Sequence, residues 1–135
     1  MNKISARAIF RGAFGLAAAI ILGAIAAHEL EDRLPEYNLK IYETAVKYQF
    51  YGCFGLILLG MLNHLNTFNL KWPITLLRFG ILIFSGTLYF LALRPLMGIE
   101  GYNWFGAITP IGGLSMISAW IWTGTLYFKV SVKSS

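Results

Sequence analysis

With 135 residues, of which 57% are hydrophobic and only 13% charged, the chain is one domain by length and far from a water-soluble composition, where charged residues make up about a quarter. Four membrane-spanning helices of roughly 20 residues each would account for most of it. The net charge of +5 sits beside apolar runs, where lysine and arginine set membrane orientation, so no nucleic-acid partner is expected.

The chain begins with Lys3, Arg7 and Arg11 and then runs into an apolar stretch that predicts a first span over residues 10–28. This start could be read as a secretory signal with a cleavage site after Ala24-Ile25-Ala26, but three further spans follow, and a retained signal-anchor helix is expected. Within it, Gly15, Ala19, Gly23 and Ala27 are four residues apart, a spacing that places them on one face and predicts a packing seam for a neighbouring helix.

From His28 to Lys47 the character changes, since Glu29, Glu31, Asp32, Glu36 and Glu43 are five of the six acids in the chain. Pro35 suits a helix start, and Leu39, Tyr42 and Val46 recur at helical spacing. A short amphipathic helix is expected between the first and second spans, lying at the interface and running into the second span. The second span, residues 48–65, carries Gly52, Leu56 and Gly60 on one face, and the run Asn63-His64-Leu65-Asn66-Thr67 reads as the turn that ends it. Cys53 lies inside this span, cannot form an internal disulfide and reads as a packing residue.

Trp72-Pro73 opens the third span, residues 73–93, and Arg94-Pro95 is expected to stop it. Trp104 marks the fourth, residues 104–128, with a bend expected at Pro110. The predicted fold is therefore all-α, an integral membrane four-helix bundle. Lys3, Arg7, Arg11, Lys71, Arg78, Lys129 and Lys133 fall on one side, against Arg33, Lys40, Lys47 and Arg94 on the other. That distribution puts both termini in the cytoplasm and the protein in the inner membrane, multi-pass. Arg78, a turn or so inside the third span, is expected to snorkel toward the headgroups.

Topology assigns depth, and depth limits the chemistry. His28 and His64 would lie at opposite ends of the second span, roughly 25 Å apart, too far to ligate one haem or metal. There is no G-x-S-x-G elbow, phosphate-cradling loop or pair of carboxylates inside a span, and no cofactor is assigned. What remains is a candidate polar cluster at outer depth: His28, Glu43, Tyr48, Gln49, Ser85, Tyr89 and Thr109. Such groups could close the bundle by hydrogen bonding across helices, or could line a cavity for a proton, ion or small ligand with His28 as its titrating group.

Four stretches together resemble a known family: Leu22-Gly23-Ala24-Ile25-Ala26-Ala27-His28, residues 42–49 with Ala45, Tyr48 and Gln49, Phe84-Ser85-Gly86-Thr87-Leu88-Tyr89, and Thr109-Pro110-Ile111-Gly112-Gly113. In this order they resemble the bacterial membrane family called domain of unknown function 423, related to the human transmembrane protein 256. The resemblance implies a four-helix membrane protein with no established reaction. Family members typically have Gly-Ala-Phe-Gly-Ala-His where this chain has Ile25 and Ala26, and a histidine where this chain has Gly52.

Two functions compete. The first is a non-enzymatic accessory, assembly or self-associating protein whose partners are the lipid bilayer and another membrane protein or itself. The second is a conduit or binding protein for a small ligand, ion or proton around His28. An intramembrane enzyme using His28 with Glu43, Tyr89 or Arg94 lacks a nucleophile or metal partner.

Overall fold

The computed structural model describes residues 1–66 and 68–133, so Thr67, part of the expected turn, lies outside the described residues. Among the described residues the regular structure is entirely helical. It comprises α1 (Lys3–Ile25) with a following π-helical turn (Ala26–Leu30), α2 (Glu36–Leu65), α3 (Lys71–Met97) and α4 (Phe105–Lys133). All four helices are long and apolar enough to cross a membrane.

The helices pack in chain order: α1 on α2, α2 on α3 and α3 on α4. The start of α1 and the last turns of α4 lie at the same end of the molecule, beside the α2–α3 connection. Asn63 Nδ2 donates to Ser5 Oγ at 2.8 Å near the start of α1, and Asn66 Nδ2 donates to Tyr127 Oη at 2.7 Å near the end of α4. At the far end, Leu30, Leu34, Tyr42 and Ala92 form a separate apolar cluster that joins the α1–α2 connection to the last turns of α3.

In a bilayer, close packing rather than expulsion of water holds helices together, and small residues permit it. A methyl group on Gly12 would lie 2.7 Å from the Cys53 carbonyl oxygen, so α1 and α2 touch backbone to backbone there. Gly80 plays the same part between α3 and α4, where a methyl would meet the Gly112 carbonyl oxygen at 2.8 Å. The buried residues of α1 are Ser5, Ala8, Gly12 and Ala19, separated by three, four and seven positions. This is the heptad pattern of left-handed helix pairs, whose contact line stays on one face. The four-residue seam follows it only in part. Gly15 and Gly23 face Cys53 and Val46 of α2, and Ala19 is buried, but Ala27 falls in the π-helical turn and is exposed.

Two expected boundaries are also corrected. The acidic segment is not a separate amphipathic helix: Glu36 to Lys47 forms the first turns of α2, because no glycine or proline divides it from the span. Nor does α3 stop at Arg94, since it runs through Pro95 to Met97. Proline supplies no amide proton to the carbonyl four residues back, that of Leu91. Asn38 Nδ2, donating at 3.4 Å to Leu91 O and at 3.3 Å to Ala92 O, reaches across from α2 to serve it. The helix ends three residues later at Gly98, whose φ of 64° lets its amide close onto the Arg94 carbonyl. Asn63, placed by sequence in a turn, is helical and buried, and its Oδ1 accepts the Leu70 amide at 2.7 Å.

Candidate functional site

Gln49 lies where α1, α2 and α3 meet. Gly15 has no side chain to cover its carbonyl, and Gln49 Nε2 donates to that oxygen at 2.9 Å. From the other side, the Tyr89 hydroxyl donates to Gln49 Oε1 at 2.7 Å. One amide thus uses its donor on α1 and its acceptor on α3. The Tyr89 ring meets the buried Tyr42 ring edge-on, with centroids 5.1 Å apart, and the Tyr42 hydroxyl donates to Leu22 O at 3.1 Å. One turn away, buried Ser85 donates through Oγ to Ala45 O at 2.9 Å.

This neutral relay of amide, phenol and hydroxyl joins three of the sequence-selected residues, Gln49, Ser85 and Tyr89. The other four lie elsewhere. Thr109 bonds Thr87 at 2.7 Å on the α3–α4 face. Tyr48 is exposed, its ring 4.7 Å from that of Phe84 and 5.8 Å from that of Tyr51. Glu43 is exposed on α2, and His28 is exposed in the π-helical turn, with no hydrogen bond linking either to Gln49 or Tyr89. His28 and His64 lie at opposite ends of the molecule.

Two polar residues escape sequence reading, Tyr42 beside the relay and Asn63 at the opposite end of the molecule. Tyr42 reads as part of an apolar ridge, and Asn63 as part of a turn, because each owes its role to a partner on another helix. Among the described residues no buried side-chain nitrogen or oxygen lacks a hydrogen-bond partner, and no group of three histidine, cysteine or acidic side chains gathers to hold a metal. Position 52 faces away from His28: a Cβ there would lie 2.6 Å from Ile81 Cδ1 and 3.4 Å from Met116 Cε. A histidine side chain at this position would enter the α2–α3–α4 interface rather than pair with His28.

Two cavities flank the relay. At the far end, about 600 Å³ opens among Tyr37, Asn38, Arg94, Glu100 and Asn103. Arg94 Nη1 is engaged there, donating to Asn103 Oδ1 at 2.9 Å and to the Gly101 carbonyl. A groove of about 560 Å³ lies between α1 and α3, with α2 as its floor, and it extends from Arg11 and Arg78 to Gln49 and Tyr89.

Comparison with known proteins agrees with this architecture. A family described as "Protein of unknown function (DUF423)" matches residues 22–113. A UPF0382 membrane protein of Staphylococcus epidermidis is 42% identical over 113 residues, covering 84% of this chain and 88% of the relative. One from Staphylococcus saprophyticus is 39% identical over 122 residues, covering 90% and 97%. The UPF0382 membrane protein YwdK of Bacillus subtilis is 36% identical over 115 residues, covering 84% and 89%. No solved structure matches. With a family match that runs from the end of the first helix through the second and third and into the fourth, and relatives aligned over most of their length, the chain belongs to the DUF423 family of membrane proteins of unknown function.

Proposed function

We propose that this protein is a non-enzymatic, multi-pass protein of the bacterial inner membrane, with both termini cytoplasmic, that serves as an accessory or assembly element for another membrane protein or for its own copies. The observation carrying this reading is the Tyr89–Gln49–Gly15 relay, in which polar groups at membrane depth are used to tie α1, α2 and α3 together. The orientation rests on the seven cations at the end bearing the termini against four at the other. Extraction into native-lipid nanodiscs followed by mass measurement is expected to recover the chain in a complex, with itself or with a second membrane protein. Recovery as a lone monomer throughout would overturn this function. A fluorescent-protein fusion to the C-terminus is expected to fluoresce, as such fusions do when they remain in the cytoplasm.

The groove that ends at Gln49 and Tyr89 favours a second reading, a binding or conducting protein for a small ligand, ion or proton. Its test is proton flux into proteoliposomes. Flux that falls in Gln49→Leu and His28→Ala would replace the accessory role, whereas flux equal to that of protein-free vesicles would dismiss the conduit.

A further inference from the structure

We propose that the groove between α1 and α3 is a lipid site, holding one acyl chain of an anionic phospholipid whose phosphate lies between Arg11 and Arg78. This inference stands apart from the accessory role but rests on the membrane orientation proposed above.

The first is charge. Arg11 and Arg78 line one end of the groove, and among the described residues neither has a hydrogen-bond or ion-pair partner. No acid is available to them: all six, at positions 29, 31, 32, 36, 43 and 100, belong to the far end of the molecule or to the first turns of α2 there. An arginine without a counter-charge is costly near hydrocarbon, and guanidinium geometry matches phosphate oxygens in pairs. Among the described residues no anion faces them, and basic pockets between spans on the cytoplasmic side are where lipid phosphates bind.

The second is level. Gly12, next to Arg11, abuts Cys53 and Ile57, while Leu77, next to Arg78, abuts Gly55. The two arginines therefore flank α2 at the same depth, one from each wall. Both line the same groove, and the proposed phosphate lies between them.

The third is shape. Beyond the arginines the walls are apolar, formed by Phe14 of α1 and Ile81 and Leu82 of α3 over Cys53 and Leu56 of α2. Gly86 keeps the groove open, since a Cβ there would meet nothing within 4 Å. From Arg78 to Tyr89 the helix rises roughly 16 Å, which matches the roughly 15 Å of hydrocarbon in one leaflet. A chain anchored at the arginines would end near the relay.

The test uses the full-length protein in vesicles, with acyl-spin-labelled phosphatidylglycerol and phosphatidylcholine as probes and the motionally restricted spectral component as the readout. The wild type is expected to restrict phosphatidylglycerol with at least about tenfold preference over phosphatidylcholine. Replacing both arginines (Arg11→Gln with Arg78→Gln) should bring the preference to within about twofold. Gly86→Phe keeps the arginines but fills the tail groove, and should abolish the restricted component. Gly124→Phe, equally unobstructed on α4, should leave it intact. Helical content and monodispersity check folding of each variant. Restricted phosphatidylglycerol that survives Gly86→Phe would show diffuse attraction to positive charge and overturn the site, as would a dimer joined through this face with no lipid between the copies.

Discussion

The substitution that examines the packing most directly is Gly12→Ala, set against Gly124→Ala. At Gly12 the added methyl would lie 2.6 Å from Ile57 Cγ1, 2.7 Å from the Cys53 carbonyl oxygen and 3.2 Å from the Ile57 amide nitrogen. Two of these atoms are backbone, and the third belongs to a β-branched side chain with little rotamer freedom in a helix. The methyl can be accommodated only by moving α1 away from α2, and overpacking of this kind costs about 1–3 kcal/mol. Replacing a helical glycine by alanine returns about 0.8–1.0 kcal/mol of propensity. Because the obstruction is largely backbone, the upper part of the overpacking range applies, leaving a net loss of about 1–2 kcal/mol. A methyl added at Gly124 would have nothing within 4 Å, so there the propensity gain stands alone and the variant should be more stable by up to about 1 kcal/mol. The two variants should thus differ by about 2–3 kcal/mol, on the order of a hundredfold in the unfolding equilibrium. Reversible unfolding in mixed dodecylmaltoside and dodecyl sulfate micelles, followed by circular dichroism, measures the difference. Equal stability of the two variants would refute the close approach of α1 to α2.

The relay can be examined by a double-mutant cycle with Gln49→Leu and Tyr89→Phe in the same micelles. The expected coupling is about 0.6 kcal/mol and at most about 1.7, as for other hydrogen bonds between spans, and zero coupling would mean that the 2.7 Å bond does not hold α2 to α3. Gly98→Ala forces a Cβ into the left-handed region at φ 64° and should cost about 1–2 kcal/mol in the same unfolding assay; no loss would show that the end of α3 relaxes freely.

The four long apolar helices are legible because a run of roughly 20 apolar residues is a local signal, read without knowledge of any partner. The ends of the helices are another matter. α2 gains its first turns from a charged segment that propensity leaves free to be helical. The continuation of α3 through Pro95 depends on Asn38, 53 residues from Leu91 in sequence, arriving to serve the carbonyl that proline leaves open. Asn63 is likewise placed by non-local partners, Ser5 on one side and the Leu70 amide on the other. For Pro95 and Asn63 the deciding group lies on another element of the fold, far away in sequence or beyond the end of the helix.

The candidate cluster separates for a related reason. Topology gives depth, and depth alone gathers His28, Gln49, Tyr89 and Thr109 into one layer, but each helix also has an azimuth. Adjacent helical residues point about 100° apart, which turns Tyr48 toward the ring of Phe84 while Gln49 reaches Gly15. The same rotation acts on the small seam. Steps of four residues drift about 40° each, so by Ala27 the stripe that began at Gly15 has turned about 120°, whereas steps of seven drift only about 20°. The buried series Ser5, Ala8, Gly12 and Ala19 follows the slower drift and stays on α2. The π-helical turn at Ala26–Leu30 then changes the winding just where His28 would have had to point inward. Gln49 and Tyr89 meet because their helices are held side by side by glycine contacts and small residues below them, while His28 lies beyond the last such contact. The polar centre of this fold is therefore set by where the backbones come close, and its position follows the glycines rather than the histidine.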